Sequence, residues 1–356
     1  MKRTGITTLG VAIVVLGLAA ILANGCGRSA TRVSGGGATF INPMMQKWSD
    51  EYKTKTGVEI DYVSKGSSYG IEQTTDKNID FGCSDAPLKK DQVEKAKAKG
   101  GEIVHVPMIM GAVAIVYNVP ECKEPLKLTG SVLAEIYRRE VTKWNDKKIA
   151  ELNPGVNLPE KDIVAVARAE GSGTSNVFSE YLSKSNEGFK SAIGTSTKPK
   201  WPQGVVAQEQ NDGVAGFVKN NAYTIGYVEV LFAKKNELAT AKLKNKAGEF
   251  LGPDAEGVTS AATEAMKTKP TEEPYSLHDL TFSLTDADGA KSYPICGISY
   301  AIFYSKLPKG KGEAAIEFLK WAATDGQAFA KDLDYAPLPD DLRKKAVERL
   351  GQVTFE

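Results

Sequence analysis

Short apolar runs alternate with amphipathic segments along the chain after residue 32. The first amphipathic segment has apolar residues at i, i+3, i+4, i+7 and i+11, at Ile41, Met44, Met45, Trp48 and Tyr52. This spacing predicts a helix with one apolar face, which we interpret as core rather than as a ligand site. Pro43 suits the first turn of this helix and Gly57 suits its end. The alternation of strands and helices predicts an α/β architecture with parallel sheets.

Four of the apolar runs end in a loop of Gly, Ser, Thr or Asp, and a predicted helix follows each loop. The loops occur in "RVSGGGATF", "DYVSKGSSYG", "DFGCSDAPL" and "VAVARAEGSGTS". For the fourth we expect a strand over Ile163–Ala167 and a helix that starts at Ser172–Thr174. Such loops gather at the carboxyl ends of parallel strands, where ligands bind. Their N–H groups, hydroxyls and helix N-termini hold oxyanions without many lysines. One such loop is weak evidence, but four together predict an anion site.

Two apolar segments suit a crossing between two lobes, Val106–Pro120 and Ser292–Ser305. If they pair as hinge strands, the chain leaves lobe I, builds lobe II and returns. We expect a signal peptide at 1–25, lobe I at 30–110 plus 294–356, and lobe II at 111–293. The segment from Gly312 to Pro339 is expected to pack back on lobe I.

The segment "NDGVAGFVKNNAYTIGYVEV" predicts a helix followed by a strand, and we interpret it as structural. Asn211 or Asp212 is the expected N-cap of that helix. Residues 231–291 have the least clear pattern, and their composition indicates helices and surface loops.

The N-terminal segment has the features of a secretory signal peptide. Lys2 and Arg3 precede an apolar run over Leu9–Ala23, and small residues follow. An uncleaved membrane anchor is the alternative, but the run is shorter than the roughly 20 residues that span a bilayer. Cys26 follows an Ala-Asn-Gly sequence that resembles a bacterial lipobox, although Leu22 stands one position earlier than usual. We therefore expect export to the periplasm, or a lipoprotein anchored at Cys26.

Charge is balanced along the chain, with 45 Lys and Arg against 44 Asp and Glu. Cleavage before Cys26 removes only Lys2 and Arg3 and leaves 43 basic residues. This balance argues against a nucleic-acid-binding surface, which needs clustered positive charge. Any recognition of an anion must therefore be local.

Cysteine and histidine give no catalytic or metal pattern. The chain has 2 histidines, and neither lies in a motif. The cysteines after Cys26 are Cys83, Cys122 and Cys296, and their spacing fits no zinc site. They are either structural thiols or include one bridge, and a pairing of Cys83 with Cys296 is left open.

The four loop motifs together with "NDGVAGFV…IGYVEV" resemble the phosphate-binding proteins of bacterial high-affinity phosphate ABC importers. The resemblance covers nearly all of the chain after the N-terminal segment. It implies a two-lobed periplasmic-binding-protein fold of type II, with mainly parallel sheets flanked by helices, that closes on one phosphate. It also implies a monomer that is not an enzyme, has no cofactor or metal, and serves a membrane permease and its cytoplasmic ATPase.

The family's site residues correspond to Thr39, Phe40, Ser67, Asp85, Arg168, Ser172, Gly173 and Thr174. By this resemblance Asp85 would accept a hydrogen bond from the ligand, and Arg168 would be the single charged donor. Thr39 and Ser67 would donate through their hydroxyls and N–H groups, and Phe40 through its N–H. The last three residues would donate at the start of a helix.

Three positions depart from the family pattern. Glu170 stands where an Asp is usual, Cys83 where a small residue is common, and Tyr69 where a Gly often follows the two serines. The fourth loop also lacks the Gly-Lys-Ser/Thr of a nucleotide P-loop. We expect Glu170 either to steer Arg168 or to serve as an additional acceptor for a protonated ligand.

A single carboxylate among donors favours phosphate over sulfate. Phosphate carries a proton near neutral pH that ionised Asp85 can accept, whereas sulfate carries none. An unpaired buried polar group costs roughly 1–3 kcal/mol, and more when it is charged. The alternatives are a receptor for another tetrahedral anion such as sulfate or molybdate, an exported phosphatase, or a signalling or adhesion protein that has lost the ligand. A phosphatase needs an activated nucleophile or a metal cluster, and neither pattern is present.

Overall fold

The computed structural model describes residues 31–268, 270, 273–276 and 278–356. The strands are β1 (Arg32–Gly37), β2 (Glu59–Ser64), β3 (Phe81–Ser84), β4 (Ile103–Asn118), β5 (Lys127–Leu128), β6 (Val164–Arg168), β7 (Val206–Gln208), β8 (Thr224–Glu229), β9 (Ala239–Thr240), β10 (Lys242–Lys244), β11 (Phe250–Leu251), β12 (Cys296–Tyr304), β13 (Lys306–Leu307) and β14 (Thr354–Phe355). The helices are α1 (Asn42–Thr56), α2 (Ser67–Thr75), α3 (Lys90–Gly100), α4 (Gly130–Tyr137), α5 (Lys147–Ala150), α6 (Gly173–Ser185), α7 (Glu187–Ala192), α8 (Gln210–Asn220), α9 (Val230–Lys235), α10 (Ala255–Ala265), α11 (Lys311–Ala323) and α12 (Asp340–Gly351). Two short 3-10 helices cover Asp325–Phe329 and Lys331–Leu333.

One mixed sheet connects the two halves of the molecule, in the strand order β2-β1-β3-β12-β4-β8-β6-β7. The outer strands are parallel within each half, where β1 pairs with β2 and β3, and β6 pairs with β7 and β8. We call β2-β1-β3 the first half and β8-β6-β7 the second half. The predicted α/β architecture with two lobes is confirmed.

The long strand β4 belongs to both halves. Its first part pairs antiparallel with β12, from Cys296 opposite Ala112 to the far end of β12. Its second part pairs antiparallel with β8, from Val113 opposite Glu229. Every residue of β4 except Asn118 is buried. The two segments predicted to cross between the lobes therefore pair with each other, as expected.

The apolar stripe of α1 forms core, as predicted. Met44, Met45 and Trp48 are fully buried, and the Trp48 Nε1–H donates to the Gly326 carbonyl over 2.8 Å. Burial of each Met side chain contributes about 1.5–3 kcal/mol relative to an exposed position. Gly57 ends the helix in the left-handed conformation at φ 76°.

Gly37 at the end of β1 allows the first two loops to approach β3. Its φ is +136°, and a Cβ there would lie 2.1 Å from the Cys83 carbonyl oxygen. The Gly37 carbonyl accepts from the N–H groups of Lys65 and Gly66 over 3.0 and 2.8 Å. The run of glycines in "RVSGGGATF" therefore lets two loops meet at one strand end.

Several local predictions need correction. The strand β6 starts one residue later than expected, because the Ile163 N–H donates to the Thr142 carbonyl outside the main sheet. Helix α8 starts at Gln210 with Glu209 as N-cap, so the predicted cap at Asn211 or Asp212 is wrong. The Asn211 side chain bonds elsewhere, as described below.

Cys83, Cys122 and Cys296 are free thiols, so the alternative of a bridge is wrong and the structural interpretation holds. Residues 231–291 contribute β10 and β11 to a small sheet in the order β11-β10-β5, which the sequence pattern did not predict. The segment before α12 packs on the first half as expected, because the Tyr335 hydroxyl donates to the Phe40 carbonyl over 2.5 Å.

The predicted signal peptide and Cys26 lie outside the described residues. Among the residues that the structure does describe, no helix is long and apolar enough to cross a membrane.

Candidate functional site

The four predicted loops converge where β1, β2, β3 and β6 end. The structure places there all eight predicted site residues, Thr39, Phe40, Ser67, Asp85, Arg168, Ser172, Gly173 and Thr174. Gly173 is buried, and none of the other seven residues is more than 4% exposed. Polar groups this deeply buried need partners within the protein or from a ligand.

Direct hydrogen bonds join the loops of the first half to those of the second. The Ser68 N–H donates to the Gly171 carbonyl over 3.1 Å, and the Gly173 N–H donates to Ser67 Oγ over 3.0 Å. Arg168 Nη2 donates to Thr39 Oγ1 over 3.1 Å. The site is therefore formed by both halves and exists as a unit only while they are closed.

Arg168 stands at the end of β6 with its side chain fully buried. Its backbone N–H donates to the Tyr227 hydroxyl over 3.2 Å, and that hydroxyl contacts Ser175 Oγ over 2.7 Å. Nη1 donates weakly to Thr174 Oγ1 over 3.4 Å, and Nη2 also pairs with Glu170. Nε has no partner within the described residues. A buried, charged donor is thus held in the site with its Nε–H still to be satisfied.

Glu170 contacts Arg168 from the same loop. One carboxylate oxygen accepts from Arg168 Nη2, and the Gln210 N–H donates to Glu170 Oε1 and Oε2 over 3.2 and 3.3 Å. The carboxylate therefore lies between the guanidinium and the start of α8. Of the two predicted roles, these contacts favour the steering of Arg168.

Asp85 is the one carboxylate among the predicted binding residues. Its Oδ1 accepts from Ser299 Oγ over 2.7 Å, and its Oδ2 accepts weakly from Ser67 Oγ over 3.4 Å. Burial raises the pKa of the Asp85 carboxyl to about 7, while the Ser299 hydrogen bond and the Arg168 charge oppose the rise. Sequence reasoning missed Ser299, although a serine within the apolar strand β12 was an available signal.

The start of α6 carries the last three predicted residues. Ser172 is the N-cap, so its Oγ accepts from the Ser175 N–H over 3.2 Å. The Ser172 N–H donates to the Thr197 carbonyl over 2.8 Å, which leaves its hydroxyl proton as its donor toward the site. A Cβ on Gly173 would lie 2.4 Å from Asp85 Oδ2 and from Ser67 Oγ. Glycine is therefore required for this close approach of the two halves.

Asn211 also lies at the site, although the sequence pattern of its segment indicates only a structural role. The side chain is fully buried, and its Nδ2 donates to Thr39 Oγ1 over 2.8 Å. Its Oδ1 accepts from the Glu229 N–H over 3.0 Å. The "NDGVAGFV" motif, which is part of the family resemblance, was an available signal for this role.

The arrangement can bind a small oxyanion. It offers a guanidinium, several hydroxyls and a helix N-terminus as donors, together with one carboxyl that is able to accept or share a proton. Within the described part of the chain, no group of three or more His, Cys, Asp or Glu could hold a metal ion.

The site is sealed in this closed form. A groove of about 1510 Å³ lies between the halves and is lined by residues such as Pro87, Asn176, Glu180 and Tyr275, but by none of the eight site residues. A second, small pocket is lined by Asp85, Val177 and Tyr300.

Comparison with known proteins identifies the family. The model of the "PBP superfamily domain" matches residues 24–326. The "Phosphate-binding protein PstS" of Pasteurella multocida is 38% identical over 318 residues, which cover 89% of each chain. The chain belongs to the phosphate-binding protein family. The protein of the same name from Haemophilus influenzae is 37% identical, over 88% of this chain and 90% of the relative. The family predicted from the motif series is confirmed.

Solved structures of other phosphate-binding proteins share the fold. A high-affinity periplasmic phosphate-binding protein, PfluDING, bound with phosphate, is 18% identical with a TM-score of 0.69, over 88% of this chain and 92% of its own. A putative phosphate ABC transporter substrate-binding protein with bound phosphate from Clostridium perfringens has a TM-score of 0.62 at 18% identity, over 87% of this chain and 100% of its own. The two-lobed fold of the family is thus the fold of this chain.

Proposed function

We propose that the protein is an exported receptor that captures inorganic phosphate between two closing lobes and delivers it to an ABC-type permease. The observation that carries the proposal is the single buried carboxyl of Asp85 among donors from both halves. The names of the relatives, which are phosphate-binding proteins, support the same ligand. The protein would bind its ligand without turning it over.

We assign the contacts to the ligand residue by residue. Asp85 accepts the phosphate hydroxyl, and Arg168 donates from Nε and from its terminal nitrogens. The remaining donors are hydroxyls and backbone N–H groups of Thr39, Phe40, Ser67, Ser172, Gly173 and Thr174. Because the Gly173 N–H and Ser67 Oγ bond to each other here, the ligand would exchange that contact for its own.

We assign residues 30–110 plus 294–356 to lobe I and residues 111–293 to lobe II. The change of partner along β4, from β12 at Ala112 to β8 at Val113, supports this boundary. Closure would bend the sheet at this point, a hinge motion.

The ligand specificity can be tested by titration calorimetry. The protein is freed of bound anion by unfolding and refolding, and is then titrated with phosphate and with sulfate at a pH well above the pKa of Asp85, which is about 7, so that this carboxyl is ionised. We expect phosphate to bind and sulfate to bind far more weakly, because ionised Asp85 has no proton to accept from sulfate. Equal affinities, or no phosphate binding, would contradict the proposal, and hydrolysis of a phosphate monoester would favour the phosphatase.

Sulfate rejection is expected to depend on pH. The pKa of Asp85 near 7 means that the closed site holds this carboxyl protonated below about pH 7 and ionised above it. A protonated carboxyl donates to sulfate, so sulfate affinity should rise by up to about tenfold per unit as the pH falls from about 8 toward about 7, where binding takes up one proton. It should level off between about pH 7 and about pH 5, where the carboxyl is already protonated. Phosphate retains a proton of its own over this range and should change less. Calorimetry across this pH range measures how sulfate affinity changes with pH. In Asp85→Asn this dependence on pH should disappear.

The cellular setting is part of the same proposal. Export would use the N-terminal segment, and Cys26 would carry a lipid that holds the receptor at the membrane. We propose that a monomer presents phosphate to the permease, which is powered by its cytoplasmic ATPase.

A further inference from the structure

The side chain of Asn211 bridges the two halves at a point next to Arg168. It is fully buried on α8, on the second half, and reaches Thr39, which follows β1 on the first half. Its other contact is the backbone N–H of Glu229 at the end of β8. The amide therefore ties a hydroxyl in the site to the strand that pairs with β4.

The partner at Glu229 determines which way the amide points. A backbone N–H can only donate, so the Asn211 atom that faces Glu229 is the oxygen, Oδ1. The atom that faces Thr39 is then the NH2 group, which can only donate. This orientation follows from the hydrogen-bonding chemistry of the two partners, because the oxygen and the NH2 group of an amide are too similar in shape to be told apart directly.

Thr39 Oγ1 thus receives two obligate donors, Asn211 Nδ2 over 2.8 Å and Arg168 Nη2 over 3.1 Å. A hydroxyl oxygen has two lone pairs and one proton. With both lone pairs engaged, the Thr39 hydroxyl has no acceptor capacity left, and its proton must point away from both donors.

We propose that Asn211 is a positioning residue that fixes the Thr39 hydroxyl as a donor toward the bound anion. This inference rests on the proposed function, since the acceptor of that proton is an oxygen of phosphate. Without Asn211 one lone pair of Thr39 becomes free, and the hydroxyl can rotate so that its proton leaves the ligand. When the halves close, Asn211 would hold the hydroxyl in its donating orientation, so that the ligand does not have to orient it alone.

A double-mutant cycle separates this role from a general effect on packing. We expect Asn211→Ala to weaken phosphate binding about tenfold, because this is the typical effect of the loss of one hydrogen bond. Thr39→Val removes the hydroxyl that Asn211 orients, while it keeps the branched shape. In the Thr39→Val background, Asn211→Ala should cause no further loss, because the group through which Asn211 acts is gone.

Two additions keep the result interpretable. Asn153→Ala is the matched control, since Asn153 is 5% exposed and bonds to Lys127 and Ile149 on the second half, away from the site. It should leave phosphate affinity unchanged.

Asn211→Asp keeps an oxygen for the Glu229 N–H but offers a second acceptor to Thr39. The Thr39 hydroxyl would then donate its proton to this acceptor and not to the ligand. Asn211→Asp should therefore weaken phosphate binding more than Asn211→Ala does, and this difference should shrink in the Thr39→Val background.

The possible results are distinct. Equal losses from Asn211→Ala in both backgrounds, or no loss in either, would overturn the role of Asn211 while phosphate binding by the unmodified protein stands. Failure of the unmodified protein to bind phosphate would instead overturn the proposed function and with it this inference.

Discussion

Replacement of Arg168 by methionine is expected to weaken phosphate binding by at least about thirtyfold. The side chain is fully buried and is the only charged donor assigned to the ligand. Truncation of one member of a buried, hydrogen-bonded charge pair costs roughly 2–5 kcal/mol, and each 1.4 kcal/mol corresponds to tenfold in affinity. Calorimetry with phosphate measures the loss. An affinity within about threefold of the unmodified protein would remove Arg168 from the assigned contacts.

The contribution of Glu170 has to be separated from that of Arg168. In Arg168→Met the Glu170 carboxylate keeps only the Gln210 N–H and faces the anion without its cationic partner. The double variant with Glu170→Gln removes this repulsion and should recover part of the affinity. Arg168→Lys keeps the charge but loses the planar donor fork, so it should bind more weakly than the unmodified protein and more tightly than Arg168→Met.

The replacement Asp85→Asn is expected to change two affinities in opposite directions, that for phosphate and that for sulfate. The amide cannot accept the phosphate proton as a carboxylate does, so phosphate affinity should fall. Its NH2 group can donate to sulfate, so sulfate affinity should rise. Each change corresponds to roughly 1–3 kcal/mol, and together they should narrow the ratio of the two affinities by at least about thirtyfold.

Asp80 provides a matched control at the other end of β3. It immediately precedes the strand that Asp85 follows, and it accepts from the Ser34 N–H and hydroxyl over 2.7 Å in each case. Asp80→Asn should affect folding stability through these bonds and leave the ratio of affinities unchanged. If Asp80→Asn and Asp85→Asn altered selectivity equally, the carboxyl of Asp85 would have no special role.

Features set by neighbours in the sequence were predictable. The apolar face of α1 and the Ser172 start of α6 depend on residues within a few positions of each other, so their spacing reveals them. The loops after the strands were predictable for the same reason. Their meeting place followed from a general property of parallel sheets, whose carboxyl ends lie along one edge.

Features set by distant side chains were missed. Asn211 bonds to Thr39 across 172 positions, and Ser299 bonds to Asp85 across 214 positions. No local pattern distinguishes these polar residues from an N-cap or from an isolated serine in a strand. The resemblance supplied the residues of the site, but the groups that orient them depend on how the two halves meet.

The position of β12 has a consequence for the order in which the molecule can fold. This strand comes from residues 296–304 and lies between β3 and β4, which come from the first third of the chain. Until it has been synthesised, the sheet lacks the strand that joins the first half to β4, and the facing edges of β3 and β4 stay unpaired. Pairing across such a sequence distance is slow, because the long loop must close before the contacts form. A chain made from its N-terminus can therefore complete this sheet only after residue 304 has been synthesised, which would suit the export that we propose.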